Sequence, residues 1–122
     1  GSYRAAFHWL EANSSWQETV LAGNETGATI PAVIGHRVVI GHGMETIEYD
    51  VKREQVTRFF SSHASDAYRR ARASKWNADW LVHGPAEQVL GDFDPDSAPW
   101  LELACRSGSV SVYAIDLGAR GD

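Results

Sequence analysis

The chain has 122 residues, one cysteine, a net charge of −5 and a pI near 5.4. With 43% hydrophobic and 22% charged residues it has the make-up of one ordinary globular domain, large enough to bury a core without disulfide or metal support. The lone Cys105 excludes an internal disulfide and an all-cysteine zinc site, and the acidic balance excludes the basic footprint of a general nucleic-acid binder.

The segment from Tyr3 to about Asn13 is predicted helical, because Tyr3, Ala6, Phe7 and Leu10 recur at helical spacing with Arg4, His8 and Glu11 opposite. Thr19–Ala22 is a short β-branched strand ended by Gly23-Asn24. From Thr26 to Ile34 a loop or short helical turn is expected, since Pro31 fits only a first turn or a non-helical position. A second strand covers His36–Ile40 and closes on Gly41-His42-Gly43. Asp50 is the expected N-cap of a helix carrying Val56, Phe59 and Phe60. Ser65-Asp66 opens another, with Asn77 as its left-handed stop. Trp80–His83 is a third strand, Glu87–Leu90 a helical turn and Asp92–Pro99 a turn-rich connection. Trp100–Cys105 and Val110–Leu117 form an antiparallel hairpin around a glycine-containing turn.

This order predicts an α/β sandwich of two or three layers. Its sheet is expected to be mainly parallel, with three strands joined by helical crossovers and a C-terminal antiparallel hairpin. Residues 3–118 make up the single domain, 119–122 read as a frayed tail, and Gly1-Ser2 as the remnant of a cleaved tag. No apolar run approaches the ~20 residues of a membrane span, and the start lacks a signal-peptide core.

In an open α/β sheet, ligands bind beyond the C-terminal ends of parallel strands. Three loops follow such ends: one with Asn24, Glu25 and Thr26, one with His42, Glu45 and Thr46, and one with His83 and Glu87. Together they form the expected ligand-binding or docking edge. Their glycines read first as tight-turn residues, and Gly23–Gly27 lacks both the P-loop lysine and the dinucleotide spacing, so no cofactor is expected. His42 beside Glu45 pairs an imidazole with a carboxylate, the minimum for acid–base catalysis, although such a pair also serves as a loop-fixing hydrogen bond. His36, His42 and His83 with Glu45 or Glu87 lack any recognised metal spacing, and no metal is expected. Asp92, Asp94 and Asp96 alternate as in a calcium loop, but Pro95 and the missing glycine and glutamate make this a solvated turn.

Cys105 reads as a buried structural thiol. Arg69, Arg70, Arg72 and Lys75 read as a solvated basic helix face, with lipid headgroups or sugar phosphates as the alternative. The five tryptophans read chiefly as core, with sugar platforms or interfacial anchors as alternatives. No serine lies in a nucleophile-elbow context.

Taken together, Glu25-Thr26-Gly27, Ile30-Pro31-Ala32, Gly35 through His42, Glu45-Thr46 and the lysine-bearing helix ending in Phe59-Phe60 form a pattern. With Trp80 through Pro85 and Glu87, it resembles the soluble C-terminal region of bacterial multi-pass membrane proteins of the glycosyltransferase type. These are similar in organisation to lipid-linked-sugar transferases and oligosaccharyltransferase catalytic subunits. The resemblance spans most of residues 19–90 and fades in the hairpin. It implies an accessory domain on the extracytoplasmic face of a bacterial cell membrane, packed on the transmembrane portion of its own parent chain. Contact with a lipid-linked sugar or glycan is implied, with no catalysis alone and no nucleic acid. The family's catalytic acidic residues lie on membrane loops, so no catalytic residue carries over to this chain. The rival readings are a free-standing binder of a nucleotide or sugar at the same edge, and an autonomous enzyme using His42 and Glu45.

Overall fold

The computed structural model describes residues 2–41 and 46–118, without the side chains of Ser2, Thr46 and residues 31–33. The elements run α1 (Ser2–Asn13), β1 (Thr19–Leu21), α2 (Asn24–Val33), β2 (Arg37–Val38), α3 (Thr46–Phe60), α4 (Asp66–Lys75), β3 (Trp80–His83) and α5 (Pro85–Gln88). A 3-10 turn (Pro95–Ser97), β4 (Leu101–Ser107) and β5 (Val110–Ile115) complete them. Expectations for Gly1 and for 119–122 fall outside the described residues.

The five strands lie in the order β2-β1-β3-β5-β4. β1 pairs in parallel with β2 and β3, whereas β5 runs antiparallel between β3 and β4. The three parallel strands are therefore as expected, but the sheet is mixed rather than mainly parallel. The parallel strands are short, and the antiparallel ladder runs from Trp80↔Ala114 to His83↔Ser111 and from Leu101↔Ile115 to Ser107↔Val110. β5 sits inside the sheet because both its faces are apolar.

Pleating sends successive strand residues into two separate cores. Val20, Val82, Val110 and Val112 meet Ala6, Phe7 and Leu10 of α1 and Ile30 of α2. Leu21, Leu81 and Tyr113 meet Val56, Phe59 and Phe60 of α3 and Ala73 of α4. The result is three layers, with α1 and α2 on one face and α3 and α4 on the other. Each fully buried Leu, Ile, Val or Phe contributes about 1.5–3 kcal/mol.

Several local signals act as the sequence predicts. The Ser65 hydroxyl caps α4 by accepting from the Tyr68 N–H, and Asn77 is left-handed with φ 52°. Gly108, at φ 58°, makes the hairpin turn with Ser109, a conformation that glycine adopts without steric cost.

Other expectations are corrected. α2 runs through Pro31 rather than breaking there. Proline leaves the Gly27 carbonyl without its usual helical donor, so packing stabilises this helix more than its own ladder does. A Cβ on Gly27 would stand 2.1 Å from the Ile40 carbonyl oxygen, so only glycine lets α2 approach that backbone so closely. α3 starts at Thr46, not after an Asp50 cap. Its first turn carries Glu48, favourable at the positive end of the helix dipole, and Tyr49 packs on the core.

Arg69 does not belong to a basic surface. It is buried, donates from Nε to the Phe59 carbonyl at 2.7 Å and from Nη2 to the Ser61 carbonyl, and lies 3.9 Å from the Phe93 ring centre. Arg72 lies over Trp76 and Tyr68, so part of that face is engaged in cation–π contacts. Cys105 is half-buried against the α1-side core rather than fully buried. Trp100 is core, with Nε1 donating to Asp66 at 2.7 Å, whereas Trp16 is 59% exposed.

Candidate functional site

β1 and β3 are neighbours, so the loops leaving their C-terminal ends lie side by side, each carrying a glycine, Gly23 and Gly84. Glu87, from the first turn after β3, is fully buried between them. Its Oε2 accepts from the Gly23 N–H at 2.8 Å, and its Oε1 from the Gly84 N–H at 2.9 Å and from the Tyr3 hydroxyl at 2.6 Å. The Tyr3 oxygen in turn accepts from the Ala86 N–H at 3.1 Å. One carboxylate thus ties together α1 and the loops that open α2 and α5.

The other expected edge residues are placed as follows. Asn24 donates from Nδ2 to the Tyr49 hydroxyl at 3.2 Å, linking α2 to α3. Exposed Glu25 and buried Thr26 join Tyr3, Phe7, Thr29 and Ala86 around a shallow pocket of about 290 Å³. His42 and Glu45 lie outside the described residues, as does the side chain of Thr46, whose backbone heads α3.

The metal constellation considered from sequence is not brought together. His36 precedes β2, whereas His83 ends β3, so the two stand at opposite ends of the parallel strands. Among the described residues, no group of three or more His, Cys, Asp or Glu is placed to hold a metal ion. His36 Nε2 lies 2.7 Å from the Ser14 hydroxyl, which bonds the Leu10 carbonyl at 2.5 Å. Because the hydroxyl proton goes to that carbonyl, His36 donates to Ser14 and does not activate it.

His83 belongs to a second region. Pleating turns it to the α3 side, where its ring centre is 6.0 Å from that of Phe60. It lines a cleft of about 480 Å³ between α5, the 91–97 connection and the β4–β5 turn. On one wall, Arg106 donates from Nη2 to both oxygens of Asp96 at 2.8 and 2.9 Å, to the Tyr113 hydroxyl at 3.1 Å, and from Nε to the Ser111 hydroxyl at 2.8 Å. Tyr113 donates to Asp96 at 2.6 Å. The Tyr113 hydroxyl, with help from Arg106, holds the Asp96 carboxyl below its usual range, while burial pushes the His83 imidazole down. Reading the residues alone missed this network. The signal was present, because a two-residue Gly108–Ser109 turn dictates the register that sets Arg106 opposite Ser111.

The chain shares its fold with the C-terminal globular domain of an oligosaccharyltransferase from Archaeoglobus fulgidus. The superposition has a TM-score of 0.69 and covers 93% of this chain and 96% of that one, at 12% sequence identity. No sequence profile of a protein family matches the chain, and no curated protein does. At that identity the likeness to the oligosaccharyltransferase domain is one of fold. No helix among the described residues is long and apolar enough to cross a membrane.

Two phenols of this oligosaccharyltransferase-like fold make a pH prediction. Tyr3 and Tyr113 are each pushed from the ordinary value of 10.0 up to about 12, chiefly by burial and then by hydrogen bonds to Glu87 and Asp96 respectively. A raised acid favours the neutral form in the folded state, so its stabilisation is complete below pH 10 and is lost as the pH rises towards about 12. Urea unfolding midpoints are expected to hold up to the lower value and to decline across that window. In Tyr113→Phe the decline is expected to be shallower.

Proposed function

We propose that this chain is an accessory domain of a membrane-bound glycosyltransferase-like protein. It positions acceptor or donor groups or docks on the transmembrane portion of its parent, on the extracytoplasmic side of a bacterial membrane, and has no transfer activity alone. The observation that carries this reading is the end-to-end likeness of fold to the archaeal oligosaccharyltransferase domain. The motif pattern across residues 19–90 points the same way. The edge beyond β1 and β3 supplies a surface for the role, since Glu25 is exposed next to the rigid Glu87 junction.

The contiguous coding sequence and the parent polypeptide test it. Several apolar spans of ~20 residues are expected in the parent. Deleting residues 3–118 from it should abolish glycosyl transfer in membranes, and the isolated chain should transfer nothing. A coding sequence without spans, or turnover by the isolated chain, would overturn the reading.

A further inference from the structure

We propose that the cleft between the end of β3, the 91–97 connection and the β4–β5 turn is a carbohydrate-binding site for an uncharged, hydroxyl-rich ligand of one or two sugar rings. Its volume of about 480 Å³ falls within the roughly 300–1,000 Å³ of small-molecule sites. His83, only 8% exposed, lines it, and its Nε2 has no hydrogen-bond partner. A buried polar atom left unpaired costs about 1–3 kcal/mol; His36 Nδ1 and Arg70 Nε are unpaired as well, and of the three residues it is His83 that lines this cleft.

Charge selects the ligand class. The cleft has a single cationic side chain, Arg106, and its Nε and Nη2 groups are already directed at Ser111, Asp96 and Tyr113. Asp92 and Asp94 bring two further carboxylates, and His83 is neutral at pH 7 because burial lowers its pKa. The lining is therefore net negative and repels a phosphate, pyrophosphate or nucleotide. No three metal-ligating side chains among the described residues converge on a cation. Neutral hydroxyls remain. A diol donates to the exposed carboxylates and accepts from the Gln88 amide and the Ser109 hydroxyl, whereas an ammonium group can only donate and leaves those donors unmatched. The proposal concerns this cleft alone and stands whether or not a membrane enzyme carries the chain.

The test is backbone-amide NMR of the chain titrated with neutral hexoses, N-acetylhexosamines and their disaccharides, with inorganic pyrophosphate and spermidine as contrasting probes. Saturable shifts at His83, Ser109 and Ser111 are expected with at least one saccharide, and none with pyrophosphate. Gln88→Ala and Asp92→Ala alter exposed side chains, and each should weaken that saccharide's binding about fivefold, the loss of one hydrogen bond, with unchanged urea midpoints. The absence of saturable shifts with any saccharide overturns the proposal, as do shifts only with pyrophosphate or spermidine. Saccharide affinity indifferent to both substitutions would also overturn it.

Discussion

Glu87→Ala is expected to lower the unfolding free energy by about 3–5 kcal/mol, because it strands two buried N–H donors and each unsatisfied buried group costs about 1–3 kcal/mol. The substitution leaves the buried Gly23 and Gly84 N–H groups without their acceptor, and strips the Tyr3 hydroxyl of its partner. Against a typical 5–15 kcal/mol of total stability, this is a large fraction. Glu87→Gln keeps the shape but turns one acceptor into a donor facing donors, so it should recover only part of the loss. Urea denaturation of both variants, and of each combined with Tyr3→Phe, measures the effect. The coupling between positions 3 and 87 should be favourable, because their hydrogen bond at 2.6 Å is charge-assisted. A loss below about 1 kcal/mol for Glu87→Ala, the size of one ordinary hydrogen bond, would contradict this account of the carboxylate.

Arg69→Ala is the second large effect, expected at about 3 kcal/mol from two charge-assisted hydrogen bonds and one aromatic stack. The guanidinium closes the C-terminal end of α3 by donating to the Phe59 and Ser61 carbonyls while covering the Phe93 ring. Removing it leaves helix-end carbonyls unpaired and loosens the 91–97 connection that walls the His83 cleft. Lysine retains the charge but lacks the planar fork that reaches both carbonyls and stacks on the ring, so Arg69→Lys should recover less than half. Chemical denaturation of the two variants tests this. Equal stability of Arg69→Lys and the parent would show that charge alone is sufficient.

These two residues mark where reading the sequence stops being informative. Ser65, Asn77 and the Gly108 turn act within a few residues of themselves, and local sterics and hydrogen bonding are enough to find them. The alternation of Val110, Val112 and Ala114 with Ser111, Tyr113 and Ile115 likewise predicts a strand, and the glycines after β1 and β3 mark the loops at the ends of those two mutually parallel strands. The helical path through Pro31 was not legible, because the close fit of Gly27 to Ile40 involves a segment thirteen positions away in the chain. Arg69 looked like part of a basic stripe because periodicity does not reveal that the end of the preceding helix passes beneath it. The Arg106–Asp96–Tyr113 wall was legible only in part: the hairpin register brings Arg106 to Ser111, but Asp96 arrives from the turn before β4.

An acidic chain of 122 residues with one thiol and no long apolar run determined, by composition and period alone, an α/β fold without an internal disulfide. The tertiary structure decided how its charges were used. Tyr3 and Glu87 are 84 positions apart, and Gly23 and Glu87 are 64 apart. Burying a carboxylate or guanidinium is favourable only where several donors or acceptors converge on it, and that convergence depends on how distant segments pack. Local propensity therefore placed most of the elements, while long-range packing carried α2 through Pro31 and made Glu87 a junction, Arg69 a helix clamp and His83 an unpaired group of a cleft.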